Sequence, residues 1–396
     1  MGAIILVMKF STSIIAYIGN GVVKGGLVLH EKGKRPKILS ARTNKLKYNT
    51  ERSRAQIETL ILAEFDNLIK EIKTKDFPHL YEKKCGKPES ALIVLSSPWY
   101  IPETNVIKMK EAIPFLITDN LIEKARSNIT KAHKGENDSV LALEQNILST
   151  VVNGYTTDSP IGMKASTLDI NVITSYARAE SIKRIEGIVN DNFHLDNIHI
   201  HSQSVVSFSA IKDLHPDLKD YLIVDVTSAV TEVLKIKDGI FKDTASFPLG
   251  KYFVLQSVAK SMNFTSPEVA ESMIKSCSLN KLEEQMHHNV QSSVGLAGKE
   301  WLKQFSSVLN VITGSSILPK KIFLFSSRST SCVFKMFIES EQYHQFASTQ
   351  GKFEVETIEA KDLSSLCEID SGANLFLDLD ISTVVGALFN NKKLFS

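Results

Sequence analysis

The chain has 396 residues, of which 43% are apolar and 23% charged, with 46 basic side chains against 44 acidic ones. That is the composition of a soluble globular protein of roughly two to four folded units, and it excludes a disordered or fibrous chain. The near balance of charge does not suggest bulk nucleic-acid binding, and no nucleic-acid partner is expected. Cys85, Cys277, Cys332 and Cys367 stand far apart with no CxxC pair, which argues against a zinc or iron–sulfur site and reads as reduced thiols in a cytoplasmic chain. The apolar run at residues 3–8 is too short for a signal core or a membrane span, and no later window reaches the roughly 18 residues a span needs. Leu6 stands where a myristoylation signal needs Ser or Thr.

In chain order, residues 4–8 predict an edge strand or a tag-like extension. Residues 13–18 (SIIAYI) predict a buried strand closed by Gly19-Asn20-Gly21, and residues 22–29 its hairpin partner. Gly25 and Gly26 inside that second strand count against it. Residues 32–50 carry Lys32, Lys34, Arg35, Lys37, Arg42, Lys45 and Lys47 and no acid. They form either a face for an anionic partner or a solvated loop with an edge strand. Residues 51–72 repeat apolar positions at helical spacing, from Ile57 and Leu60 to Ile69 and Ile72, with Asn49, Thr50 or Ser53 as the cap. Residues 91–96 predict a buried strand before a turn at Pro98.

Residues 116–150 predict a largely helical stretch broken near Gly135, with Glu144 on the helix. Strands follow at 150–156 and 165–173 about a turn at 158–162, then a helix at 175–190 and a short strand at 197–201. Residues 97–190 thus read as a small α/β unit set into a larger one. Residues 221–236 predict a strand ending at Asp225, a small-residue turn and a second strand from about Thr231. Asp238-Gly239 turns into a third strand at 240–248, repeating the pattern of residues 13–29. Residues 251–311 read as mostly helical, 321–326 as a strand, 353–383 as short strands and turns, and 381–390 as an apolar end piece.

His199 and His201 share one face of their strand and are a metal pair only if a third ligand, such as His194, comes near. No carboxylate or cysteine cluster supports that reading. His287-His288 reads as solvent-facing. No GKS/GKT loop, GxSxG elbow or HExxH motif is present.

Two hairpin-led halves in one chain resemble the actin-like ATPase superfamily, and within it the FtsA/PilM branch of bacterial cell-division and type IV pilus assembly proteins. SIIAYIGNGVVKGGLV is similar to the first phosphate hairpin. YLIVDVTSAVTEVLKIKDGIFKDTASFPLG is similar to the second. The stretch from Glu144 to Val189, with its NGY element and following Pro160 and Gly162, is similar to the branch's inserted subdomain and its exit. The resemblance implies an α/β, two-lobed, ribonuclease H-like actin fold with an inserted small α/β subdomain. Residues 1–96 would start the first lobe and 97–190 form the inserted subdomain. Residues 191–220 would return to the first lobe, and 221–396 form the second, with 255–315 as its helical small subdomain.

The resemblance also implies ATP and Mg²⁺ as ligands. Gly19, Asn20, Gly21 and Lys24 would meet the phosphates from the first hairpin, and Asp225, Thr227 and Ser228 from the second, with Asp225 toward the metal. Ser326, Ser327 and Arg328 would lie at the base. Yet Tyr17 stands where the family has Asp, and Val22 where it has a hydroxyl. Thr227-Ser228-Ala229 replaces a glycine-rich turn, and Ser326-Ser327 replaces a Gly-Gly turn. A nucleotide needs close backbone N–H groups, hydroxyls and a metal-linked carboxylate. With all three loops altered, the expectation is weak nucleotide binding or none, no efficient hydrolysis and no catalytic residue.

The function implied is a cytoplasmic assembly platform at the inner face of the membrane. It would bind the short cytoplasmic tail of a membrane protein, with pilus or division assembly proteins or further copies of itself as other partners. Val94, Leu95, Val152, Tyr155 and Ile161 are the groove candidates and equally plain core residues. An ATPase or kinase with divergent phosphate loops and a filament-forming protein are the alternatives the residues leave open.

Overall fold

The computed structural model describes residues 10–46, 53–78, 85–136, 139–157, 159–314, 317–340, 351–370 and 381–395. The strand expected at 4–8, Lys47 and the alternative caps Asn49 and Thr50 lie outside them. In chain order the strands and helices begin with β1 (Phe10–Ile18), β2 (Val22–Glu31), β3 (Lys37–Ile38), β4 (Arg42–Lys45), α1 (Arg54–Glu71), β5 (Pro88–Leu95) and β6 (Tyr100–Leu116). Next come α2 (Asp119–Glu136), β7 (Val140–Val152), β8 (Tyr155–Thr157), β9 (Lys164–Arg178), α3 (Ala179–Phe193), β10 (Asn197–Ser202) and α4 (Gln203–Leu214). The remainder holds β11 (Tyr221–Val226), β12 (Thr231–Lys237), β13 (Ile240–Phe247), α5 (Lys251–Ser261), α6 (Pro267–Ser278) and α7 (Glu284–Thr313). It closes with β14 (Lys321–Ser326), α8 (Ser331–Ser340), β15 (Glu354–Thr357), β16 (Glu368–Ile369) and α9 (Ile381–Phe395).

The chain divides into two compact units. The first holds Met1–Ser96, Glu180–Pro216 and Glu359–Ser396, and the second Ser97–Ala179 and Asp217–Ile358. The first unit is built on a sheet of order β10-β5-β1-β2-β3-β16, with β4 also paired to β2. β1 lies between antiparallel β2 and parallel β5, and its residues from Thr12 to Ile18 are buried on both faces. Gly25 and Gly26 are requirements of β2, not flaws in it. A Cβ on Gly26 would stand 1.8 Å from the Ser40 carbonyl oxygen, and one on Gly25 2.9 Å from that of Ile15. Only glycine lets those backbones approach so closely. α1 begins at a capping box in which the Ser53 N–H donates to Gln56 Oε1 at 2.8 Å and the Gln56 N–H to Ser53 Oγ at 3.3 Å.

The second unit carries two sheets, β13-β12-β11-β14-β15 and β6-β9-β7-β8. The first of these repeats the order and strand sense of β3-β2-β1-β5-β10 in the other unit, an antiparallel hairpin followed by two parallel strands. Its core gathers on Trp301, whose ring stacks on Phe305 at 5.0 Å and meets Phe247 and Phe334 at 5.5 and 5.4 Å. A smaller core under α2 holds Ile122, Val152, Leu168 and Ile170.

Three expectations are corrected, and one strand is new. The helix expected over 116–150 ends at Glu136, and Val140–Val152 is strand β7. Helix-forming Leu141, Ala142, Glu144 and Gln145 are overridden by pairing with β9 along the whole strand. The helix expected from residue 175 starts at Ala179, because β9 continues to Arg178 between β6 and β7. β6 was not anticipated as a strand: it is mostly exposed and carries Pro102 and Pro114. Finally, residues 359–396 belong to the first unit, not to a second lobe running to the end of the chain. α9 packs on β1, β2 and β5, and Val384 and Val385 are wholly buried there.

Candidate functional site

In the first unit, Gly19, Asn20, Gly21 and Lys24 come together on the β1–β2 hairpin. The Gly19 N–H donates to the Val22 carbonyl at 2.9 Å, and Gly21 takes a φ of 109°. Tyr17 and Lys24 are paired across the strands, and the Lys24 ammonium lies 4.9 Å from the centre of the Tyr17 ring. Tyr17 is buried, and its ring lies along the turn: a Cβ on Gly19 would stand 2.8 Å from Tyr17 Cε1. Glycine at 19 is therefore required by an aromatic ring of the protein's own.

In the second unit, Asp225 is buried at the end of β11, opposite Glu232 on β12 and Phe325 on β14. Thr227 closes the turn on itself. Its hydroxyl donates to the Val230 carbonyl at 2.8 Å and accepts the Val230 N–H at 3.0 Å. The turn's carbonyls are used as well: the Lys251 N–H donates to Thr227 O and the Tyr252 N–H to Ser228 O, both at 2.9 Å. These are the first donors of α5, so the turn caps that helix. Gly250 makes the approach possible, since a Cβ there would stand 2.5 Å from Thr227 O.

Ser326 ends β14 level with Val226, so the third loop lies at the same end of the sheet as the second hairpin. Arg328 is exposed, Ser327 and Ser329 share a hydrogen bond at 2.9 Å, and the Ser329 hydroxyl donates to Glu271 Oε1. Lys251 Nζ donates to that same oxygen at 3.3 Å. Thr227, Lys251, Glu271, Ser329 and Ser327 are thus one chain of polar contacts. Sequence reasoning missed Lys251 and Glu271. Glu232 is buried, with one oxygen accepting from Tyr100 OH at 2.6 Å and the other from Thr244 Oγ1 at 3.2 Å. The Tyr100 contact spans 132 positions and leaves no local signal in sequence.

The basic stretch is partly answered from within. Lys34 pairs with Glu31 at 2.6 Å, Lys37 with Asp370 at 3.0 Å, and the Arg42 Nε donates to buried Asp76 at 2.9 Å. Val94, Leu95 and Val152 are core residues, so of the groove candidates only Tyr155 and Ile161 are exposed. Glu144 lies on a strand and is half-buried. His201 Nε2 accepts from Lys393 at 2.8 Å, its ring stacks edge-on to Phe389, and burial lowers the pKa of His199. No group of three or more metal-ligating side chains gathers among the described residues. His287 is half-buried, its Nδ1 lying 3.6 Å from Cys277 Sγ, rather than solvent-facing. No helix among the described residues is long and apolar enough to cross a membrane.

By sequence, no protein family and no characterised protein matches this chain. By structure, it is similar to a chain of the PilM-PilN type IV pilus biogenesis complex at 12% identity and a TM-score of 0.61, over 97% of this chain and 98% of that one. It also resembles EutJ, an ethanolamine utilization protein from Carboxydothermus hydrogenoformans, at 12% identity and a TM-score of 0.43, over 96% of this chain and 89% of that one. The third likeness is to a Bacteroides thetaiotaomicron protein with an actin-like ATPase fold and unknown function, at 10% identity and a TM-score of 0.41 over 88% and 91%. The chain is a mixed α/β protein whose fold resembles that of the pilus-complex chain. At such identities the likeness shows fold alone.

Proposed function

We propose that this chain is a cytoplasmic assembly platform of the FtsA/PilM branch, which holds the cytoplasmic tail of a membrane protein and does not hydrolyse ATP productively. In this reading the two repeated sheets are the ribonuclease H-like cores of two lobes, and the sheet of β6 to β9 is the inserted subdomain. The likeness to the pilus complex over nearly all of both chains supports the branch. The observation that carries the loss of turnover is Tyr17. Where the superfamily places an aspartate, an aromatic ring lies along Gly19 under Lys24. A phenol cannot serve as a metal-linked carboxylate at neutral pH. The Thr227 hydroxyl, already bonded twice inside its own turn, supports the same reading.

Calorimetry with Mg-ATP tests the nucleotide half. Binding should be no tighter than roughly tens of micromolar, and Asp225→Ala should abolish any that is seen. Hydrolysis at about 1 per second or faster would overturn the reading. For the platform half, crosslinking in the native cell should recover a membrane protein joined through its cytoplasmic segment. Recovery of soluble proteins only would overturn it.

A further inference from the structure

We infer that a surface pocket of the second unit, formed by β7, β8 and the loop after it, the start of α2 and the first residue of β13, takes a bulky apolar side chain of the partner's tail beside a lysine or arginine. This rests on the tail-binding reading above and names the site and the chemistry of the tail. The pocket has a volume of about 410 Å³, within the range of roughly 300–1,000 Å³ usual for binding clefts. Ile122, Ile147, Ile161 and Ile240 line it.

Its apolar lining is not used up by the fold. Ile122 is buried in the core beneath α2, but Ile147 and Ile161 keep 39% and 46% of their surface exposed. Tyr155 and Met163, on the same hairpin and the loop after it, are 79% and 41% exposed. Exposed apolar side chains that line a concavity, as Ile147 and Ile161 do, mark a contact surface, whereas scattered ones do not.

The rim supplies the sign of the partner's charge. Asp119 opens α2, and Glu123 stands one turn further on, both lining the pocket. Glu123 is paired with Arg126 at 2.6 Å, and Arg126 is itself held by the Gln145 carbonyl at 2.9 Å. Asp119 has no cation at ion-pair distance among the described residues, and it sets the charge at the mouth. Cytoplasmic segments next to membrane spans carry an excess of Lys and Arg. An apolar pocket with an acidic rim is complementary to such a tail. The rival surface, the basic stretch from Lys32, is a poorer candidate for capturing an acidic tail. Three of its charges are already bonded to Glu31, Asp370 and Asp76.

The test is selection of random dodecapeptides displayed on phage against the full chain, followed by fluorescence anisotropy of the enriched peptides. Enriched sequences should share a bulky apolar residue within a few positions of Lys or Arg. Ile147→Ser or Ile161→Ser should weaken them about tenfold or more. Asp119→Lys should weaken them about threefold or more, with a smaller loss as salt rises. Both isoleucines are partly exposed, and circular dichroism of each variant checks that it folds. Acidic consensus sequences, or binding unchanged in these variants, would overturn the pocket while leaving the tail-binding reading intact. No enrichment alongside a successful crosslink to a membrane protein would likewise overturn the pocket alone. No enrichment and no crosslink would overturn both.

Discussion

Lowering the pH from 7 to 5 should cost the first unit about 2 kcal/mol of stability through His30 alone. His30 is wholly buried between β1, β2 and α9. Its Nδ1–H donates to Asn391 Oδ1 at 3.1 Å, which leaves Nε2 to accept the Ser13 hydroxyl at 2.7 Å, with Asn390 Nδ2 donating to Ser13 Oγ at 3.1 Å. The geometry has the outline of a Ser-His-Asn triad, but no substrate can reach it. Burial is the main cause that lowers its pKa from 6.5 to about 4, and the bond to Asn391 opposes it. Above pH 6.5 the ring is neutral in both states and folding is unaffected. Between 6.5 and 4 the unfolded chain binds a proton that the folded chain refuses, so stability falls as pH falls. Below about 4 both states are protonated, and the loss levels off at about 3 kcal/mol. The assay is urea unfolding at pH 7 and pH 5, read by hydrogen exchange of peptides from β1 and β2, for the parent and His30→Gln. The other histidines and carboxylates are common to both, so the difference in their pH dependence isolates His30. The variant should lose about 2 kcal/mol less than the parent over that interval. Equal losses would refute a neutral, buried His30.

Gly26→Ala would drive a methyl group into the Ser40 carbonyl at 1.8 Å. It should lower the urea midpoint by the equivalent of about 1–3 kcal/mol or more, because the obstacle is backbone. Buried Lys235 reaches from β12 to the end of α7, where Nζ donates to the Ile312 and Thr313 carbonyls at 2.8 and 3.1 Å. Lys235→Met keeps an unbranched stem as far as Cε but removes the donor, and should cost about 1–3 kcal/mol in the same assay.

What the sequence showed plainly was what burial writes locally. β1, β2, β5, β11 and β14 are apolar runs bounded by small-residue turns, and each lies near the middle of its sheet. α1 and α7 carry long apolar stripes. The small sheet was harder to read for the opposite reason. β6 buries little of itself, and β7 opens with the helix formers Leu141, Ala142, Glu144 and Gln145, whose strand state is imposed by β9. Charge was misleading in a related way. Residues 32–47 hold no acid, yet their partners Asp76 and Asp370 arrive from elsewhere in the chain.

The loop residues were legible one by one, while their relations were not. The substitutions at Tyr17, Thr227 and Ser326 could be seen in sequence, but not what answers them. Tyr17 lies along its own turn, Thr227 bonds within four residues, and Ser329 meets Glu271 from 58 positions away. Lys251 joins the last two through its backbone N–H and its ammonium. A buried polar group without a partner costs about 1–3 kcal/mol. In these loops the partners named here come from the chain itself, so that cost is met in part within each unit. The arrangement ties each hairpin to its own sheet, and the second hairpin to its neighbouring helix as well, by bonds within the unit. In the tail-binding reading proposed above, the surface that binds through shape and charge lies elsewhere, where Ile147, Ile161 and Asp119 remain exposed.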